Sequence, residues 1–127
     1  MITQSRVHFI PSLNDTDPKI LYIDFSNLKT ISEFIRVIDM AKSIIRSSPQ
    51  KSLLTLTNFT GGEADNETQK IIADYAKGNT PYIKAAAVIG ITGVRRVLYY
   101  IVIRLSNRNI HLCDNKDEAI KWLSSQL

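Results

Sequence analysis

Residues 84–108 read KAAAVIGITGVRRVLYYIVIRLSNR, and this stretch decides the fold. Ala85-Ala86-Ala87-Val88-Ile89 is a continuous apolar run of strand length. A strand that is apolar on both faces belongs inside a sheet with helices packed on it. Gly90-Ile91-Thr92-Gly93 stops the run; Thr92 is a good N-cap, and both glycines let the backbone turn tightly or approach another group closely. The pattern after Gly93 predicts an unusually apolar helix running toward Arg108. Strand, glycine turn and helix in that order are the repeating unit of a parallel α/β sheet.

The segments on either side extend the same alternation. Toward the N-terminus, Thr80-Pro81 breaks the chain, and Lys51 to Thr57 (KSLLTLT) predicts another strand. Ile20 to Phe25 (ILYIDF) is rich in β-branched and aromatic residues, and Arg6 to Ile10 is a weakly alternating run that stops at Pro11. The turn-forming connection SLNDTDPK, from Ser12 to Lys19, is short enough to join those two as an antiparallel hairpin. Between the strands lie helices. Thr30-Ile31-Ser32-Glu33 has capping-box spacing, and Ile31, Phe34, Ile35, Ile38, Ala41 and Ile45 follow at helical intervals.

The next helix follows the polar loop from Asn58 to Asn66. Asn66 with Gln69 would cap it, Ile71, Ile72, Tyr75 and Ala76 would form its apolar side, and Gly78 would stop it. Beyond the apolar helix, Asn109 to Cys113 predicts a short strand. Asp114 begins a last helix, with Ala119, Ile120, Trp122, Leu123 and Leu127 toward the core. The expected fold is one α/β domain over residues 1–127: a mixed, mostly parallel five-stranded sheet with an antiparallel edge hairpin and four helices.

Composition bounds the function. The 127 residues carry 16 Lys and Arg against 12 Asp and Glu, a net charge of +4, without the basic stripe of a nucleic-acid binder. A single cysteine excludes an intramolecular disulfide framework, and no N-terminal signal pattern is visible, so a reduced cytoplasmic setting is expected. The longest apolar run, Val97 to Ile103, is far shorter than the roughly 20 residues of a membrane span.

The segments KILYIDFSNL (19–28), SLLTLTNF (52–59), NTPYIKAAAVIGITG (79–93) and DEAIKWL (117–123), with a capped helix after the first, resemble the STAS-like, anti-sigma-factor-antagonist-like α/β domains. The resemblance spans about Lys19 to Leu127 and rests on element order and loose patterns. It implies a small non-enzymatic interaction module. Members of that family are typically switched by phosphorylation in an Asp-Ser-Ser-Gly-like motif after the third strand. Here Thr57-Asn58-Phe59-Thr60-Gly61-Gly62 stands at that point, so the resemblance implies Thr60 as the phosphoacceptor, with Thr57 second. A further similarity, to CRAL-TRIO-like lipid-binding folds, implies an apolar ligand instead.

Three local features bear on chemistry. Gly90, Thr92, Gly93, Arg95 and Arg96 combine helix-start N–H groups with two guanidinium groups, which suits a phosphate or carboxylate; the same residues also read as a plain turn with solvated arginines. If Val94, Leu98, Ile101 and Leu105 face the sheet, then Tyr99, Tyr100 and Ile103 face away beside Arg96. That is either a homo-oligomer or protein-partner surface, a roof over a lipid-like ligand, or a set of singly exposed residues. His111 and Cys113 share one strand face, but no third ligand stands at a metal-binding spacing, so no metal or cofactor is expected and Cys113 reads as a small buried hydrophobe. Asp24 reads as a turn cap before Ser26-Asn27, and no carboxylate pair is spaced for acid–base work.

Overall fold

The computed structural model of the chain describes residues 5–14, 18–91 and 109–127. Among them lie the strands β1 (Val7–Pro11), β2 (Pro18–Asp24), β3 (Leu53–Asn58), β4 (Ile83–Ile89) and β5 (Ile110–Leu112), and the helices α1 (Ile31–Ile45), α2 (Asn66–Asn79) and α3 (Lys116–Ser124). The strands form one sheet whose spatial order equals their order in the chain. β1 is antiparallel to β2, with Val7 opposite Ile23, and every later pair is parallel. The mixed sheet and its edge hairpin are therefore as the alternation of elements implies. Three of the four expected helices are α1, α2 and α3. The other, after Gly93, lies outside the described residues.

Register sorts the side chains into two layers. Leu21, Thr55 and Ala86 align across β2, β3 and β4, as do Ile23, Thr57 and Val88; this face packs on Phe34, Val37, Ile38, Ala41 and Ile45 of α1 and Ile72 of α2. Tyr22, Leu56 and Ala87 align on the opposite face with Ile20, Leu54, Ala85 and Ile89, under Ala119 and Leu123 of α3. β4 is thus buried on both sides, which explains its unbroken run of apolar residues. At the carboxyl end Phe25 stacks on Phe59 at a centroid distance of 5.2 Å and on Phe34 at 5.7 Å, tying the exits of β2 and β3 to α1.

Local details depart from the expectation at four places. In α1, Val37 is buried and Ile35 is 38% exposed, because the buried stripe runs Phe34, Val37, Ile38, Ala41, Ile45. α2 is capped by Asp65 rather than Asn66: the Asp65 carboxylate accepts from the Thr68 N–H at 2.8 Å, while Gln69 Nε2 donates to the Ala64 carbonyl at 2.8 Å. Gly78 lies inside α2, where a Cβ would meet the Arg46 guanidinium, and Pro81 in the following 3₁₀ turn (Thr80–Tyr82) marks the true end. In α3 the N-cap is Asn115, one residue after Asp114, and Leu127 is 56% exposed.

Candidate functional site

The carboxyl ends of β2, β3 and β4 lie side by side, since Asp24 pairs with Asn58 and Asn58 with Ile89. The exits of β2 and β3 are each closed by a side chain returning to the backbone. Asp24 Oδ1 accepts from the Ser26 N–H at 2.8 Å, as its turn-capping position implies. Asn58 Oδ1 accepts from both the Thr60 N–H at 2.9 Å and the Thr60 hydroxyl at 2.6 Å. The Asn27 N–H donates to the Thr60 carbonyl at 2.9 Å, and the Phe59 N–H to the Ile89 carbonyl at 2.9 Å. Thr60 is exposed, yet its backbone is held from two sides.

Gly90 completes this corner. Its φ is +72°, and a Cβ built there would fall on the Thr60 hydroxyl oxygen and amide nitrogen. Only glycine allows the β4 exit to come this close to the loop after β3. Two residues singled out on separate grounds, Thr60 and Gly90, are therefore in direct contact. Thr92, Gly93, Arg95, Arg96, Tyr99, Tyr100 and Ile103 lie outside the described residues.

A polar chain runs from this corner across the second face. Asn58 Nδ2 donates to the Tyr22 hydroxyl oxygen at 3.0 Å, and the Lys116 ammonium at the start of α3 sits 4.5 Å from the Tyr22 ring centroid. On the other side, Lys29 Nζ donates to the Gly61 carbonyl at 2.8 Å and lies 3.7 Å from Glu63, an exposed pair that contributes little to stability. The groups around the Thr60 hydroxyl are amides and backbone. An amide oxygen orients a hydroxyl but does not take its proton, so Asn58 and Thr60 are not a nucleophile with its base.

Two further features stand apart from the corner. On the α1/α2 face a small cleft of about 50 Å³ is lined by Thr57, Phe59, Ile72, Tyr75, Val88 and Ile110 among others. At the β5 edge, His111 stacks on Trp122 with centroids 4.8 Å apart, and Cys113 is buried beside it. Glu118 joins this pair: the imidazole, thiol and carboxylate donors lie within 4.8 Å of one another. Sequence reading missed Glu118. The signal was present as the spacing Asn115-x-x-Glu118, because a glutamate in the first turn of a capped helix can turn back toward the residues before it; here its carboxylate accepts from the Asp114 N–H.

Compared with protein-family models, with curated proteins and with solved structures, the chain finds no match in any of the three.

Proposed function

We propose that this chain is a non-catalytic regulatory module acting through protein contacts, built like the STAS-like domains its sequence resembles. What supports the reading is the meeting of Thr60 with Gly90, because it makes the loop after β3 a rigid, exposed surface at the carboxyl edge of the sheet. A phosphoryl group on Thr60 removes the proton that Asn58 accepts and adds an anion against the Gly90 backbone. The loop then has to leave its present seat, which changes the surface a partner meets. Self-association belongs to the same proposal, through Arg96, Tyr99, Tyr100 and Ile103.

Light scattering over a concentration series, with wild type beside a Tyr99→Glu/Ile103→Glu variant, tests the interface. A dimer that becomes a folded monomer in the variant supports it; an unchanged mass in both rules out self-association through these residues.

The apolar cleft favours a second reading, a binding protein for a small anionic or lipid-like ligand held also by Gly90, Thr92, Gly93, Arg95 and Arg96. Its lining is mostly apolar with a few polar groups, Thr55, Thr57 and Asn79 among them, as in small-molecule sites. A ligand that binds only the native state raises apparent stability. A medium-chain fatty acid or inorganic phosphate should then raise Tm in wild type and not in Arg95→Ala/Arg96→Ala. Flat melting curves with both probes would remove this reading.

A further inference from the structure

The cluster at the β5 edge belongs to neither reading above and has its own chemistry. His111 and Cys113 are two apart on an extended segment and so share the face that α3 covers. α3 starts only a few residues later and folds back over that face, which returns Glu118 to the same place. The three donors are soft sulfur, borderline nitrogen and hard oxygen, the mixture taken by zinc and neighbouring divalent ions and not by calcium or magnesium. We propose that His111, Cys113 and Glu118 bind one zinc-class divalent ion, with water in the fourth position.

The parts of the cluster are already restrained. The His111 ring is held against Trp122, with 16° between the planes. The Glu118 carboxylate accepts from the Asp114 N–H at 3.1 Å, and its own N–H donates to Asn115 Oδ1 at 2.9 Å. Having two oxygens, the carboxylate keeps that bond and still offers a donor. A four-coordinate zinc ion holds N, O and S ligand atoms about 3.3–3.6 Å apart, given metal–ligand bonds of about 2.0–2.3 Å. The present separations of up to 4.8 Å close to that value by small side-chain rotations, since His111 and Glu118 are both exposed.

Electrostatics favours the loaded form. The Glu118 and Asp114 carboxylates lie near the buried Cys113 thiol, with the Glu118 oxygen inside the cluster itself. A divalent cation suits that arrangement, because the same carboxylates attract it together with the thiolate. Binding forms a metal–sulfur bond and releases the thiol proton to solvent. A cysteine serving only as core filler gains nothing from an imidazole and two carboxylates around it.

The test is a cobalt(II) titration of the full chain, kept reduced with a phosphine, and then back-titration with zinc. One cobalt per chain, with thiolate-to-metal charge-transfer absorption that zinc abolishes, is the expected result. Cys113→Ser and His111→Ala should each weaken binding by more than the about 10–100-fold that losing a supporting partner of a ligand costs. His111→Ala changes an exposed residue, so it decides the matter even if Cys113→Ser does not fold. Absence of the charge-transfer band overturns the proposal, and so does cobalt binding that survives either substitution, which would mark adventitious surface binding.

Discussion

Replacing Gly90 by alanine tests the corner at which the proposed function rests. Two costs add at this position. An L-residue in the left-handed region costs about 1–2 kcal/mol, and the new methyl falls on the Thr60 amide nitrogen and hydroxyl oxygen, so the two exits must separate. Overpacking of that kind costs about 1–3 kcal/mol. Together they predict a destabilisation of about 2–5 kcal/mol. For a 127-residue chain each kcal/mol moves Tm by about 4 °C, which predicts a fall of about 8–20 °C.

Thermal and urea unfolding, followed by circular dichroism, would measure this change. A Thr60→Ala/Gly90→Ala double variant sharpens it: removing the hydroxyl relieves one contact, while the contact with the amide nitrogen stays, so only part of the loss should return. Gly78→Ala is the control, because a Cβ there meets only the movable end of Arg46 inside a helix, where alanine is favoured over glycine by about 0.5–1 kcal/mol. It should be neutral or stabilising. A Gly90→Ala protein within about 0.5 kcal/mol of wild type, the range of an ordinary surface change, would refute the close approach of β4 to the Thr60 loop.

Other outcomes follow from the helix starts. Thr30 caps α1 in a reciprocal box, its hydroxyl oxygen accepting from the Glu33 N–H at 3.3 Å and the Glu33 carboxylate from the Thr30 N–H at 3.0 Å. Thr30→Ala should therefore cost about 1 kcal/mol in urea unfolding, and Thr30→Asp should restore most of it. The Glu33 carboxyl is held below its ordinary pKa chiefly by the Lys29 N–H, with the Thr30 hydroxyl and N–H adding to it, and Asp65 chiefly by the Thr68 N–H. Lowered folded values mean that both groups stabilise the fold above their unfolded pKa and lose that contribution as pH falls through the folded value. Stability should thus decline as pH drops below about 4.5, and a Glu33→Gln/Asp65→Asn variant should decline less steeply; equal slopes would count against the assignment.

How much of this was legible depended on the range of the interaction involved. The sheet, its edge hairpin and the box at Thr30 are local patterns, and the burial of Ala85 to Ile89 on both sides follows from their being uniformly apolar. The cap of α2 was misread by one residue because Asp65 and Asn66 are adjacent and both can accept. What decides is which of them faces the Thr68 N–H. Gly78 looked like a stop because its reason, the approach of Arg46 from α1, lies outside its own helix. The contact of Thr60 with Gly90 depends on the register of β3 against β4, and no single strand carries that information. Glu118 reaches His111 only because α3 folds back over the edge of the sheet.

A sheet whose spatial order is its chain order has a consequence for how it is made. Each strand, as it leaves the ribosome, finds its neighbour among those already formed, so no strand waits for a later one to be inserted beside it. Such nearest-neighbour assembly keeps loop-closure costs low and favours fast folding. The two faces do not mature together, however. α1 and α2 are synthesised between the strands they cover, whereas among the described elements it is α3, the last to be made, that covers Ile20, Tyr22, Leu54, Leu56, Ala85 and Ala87. A nascent chain ending at β4 therefore carries an apolar sheet face that none of its described helices covers, and an exposed face of that kind is what chaperones shield.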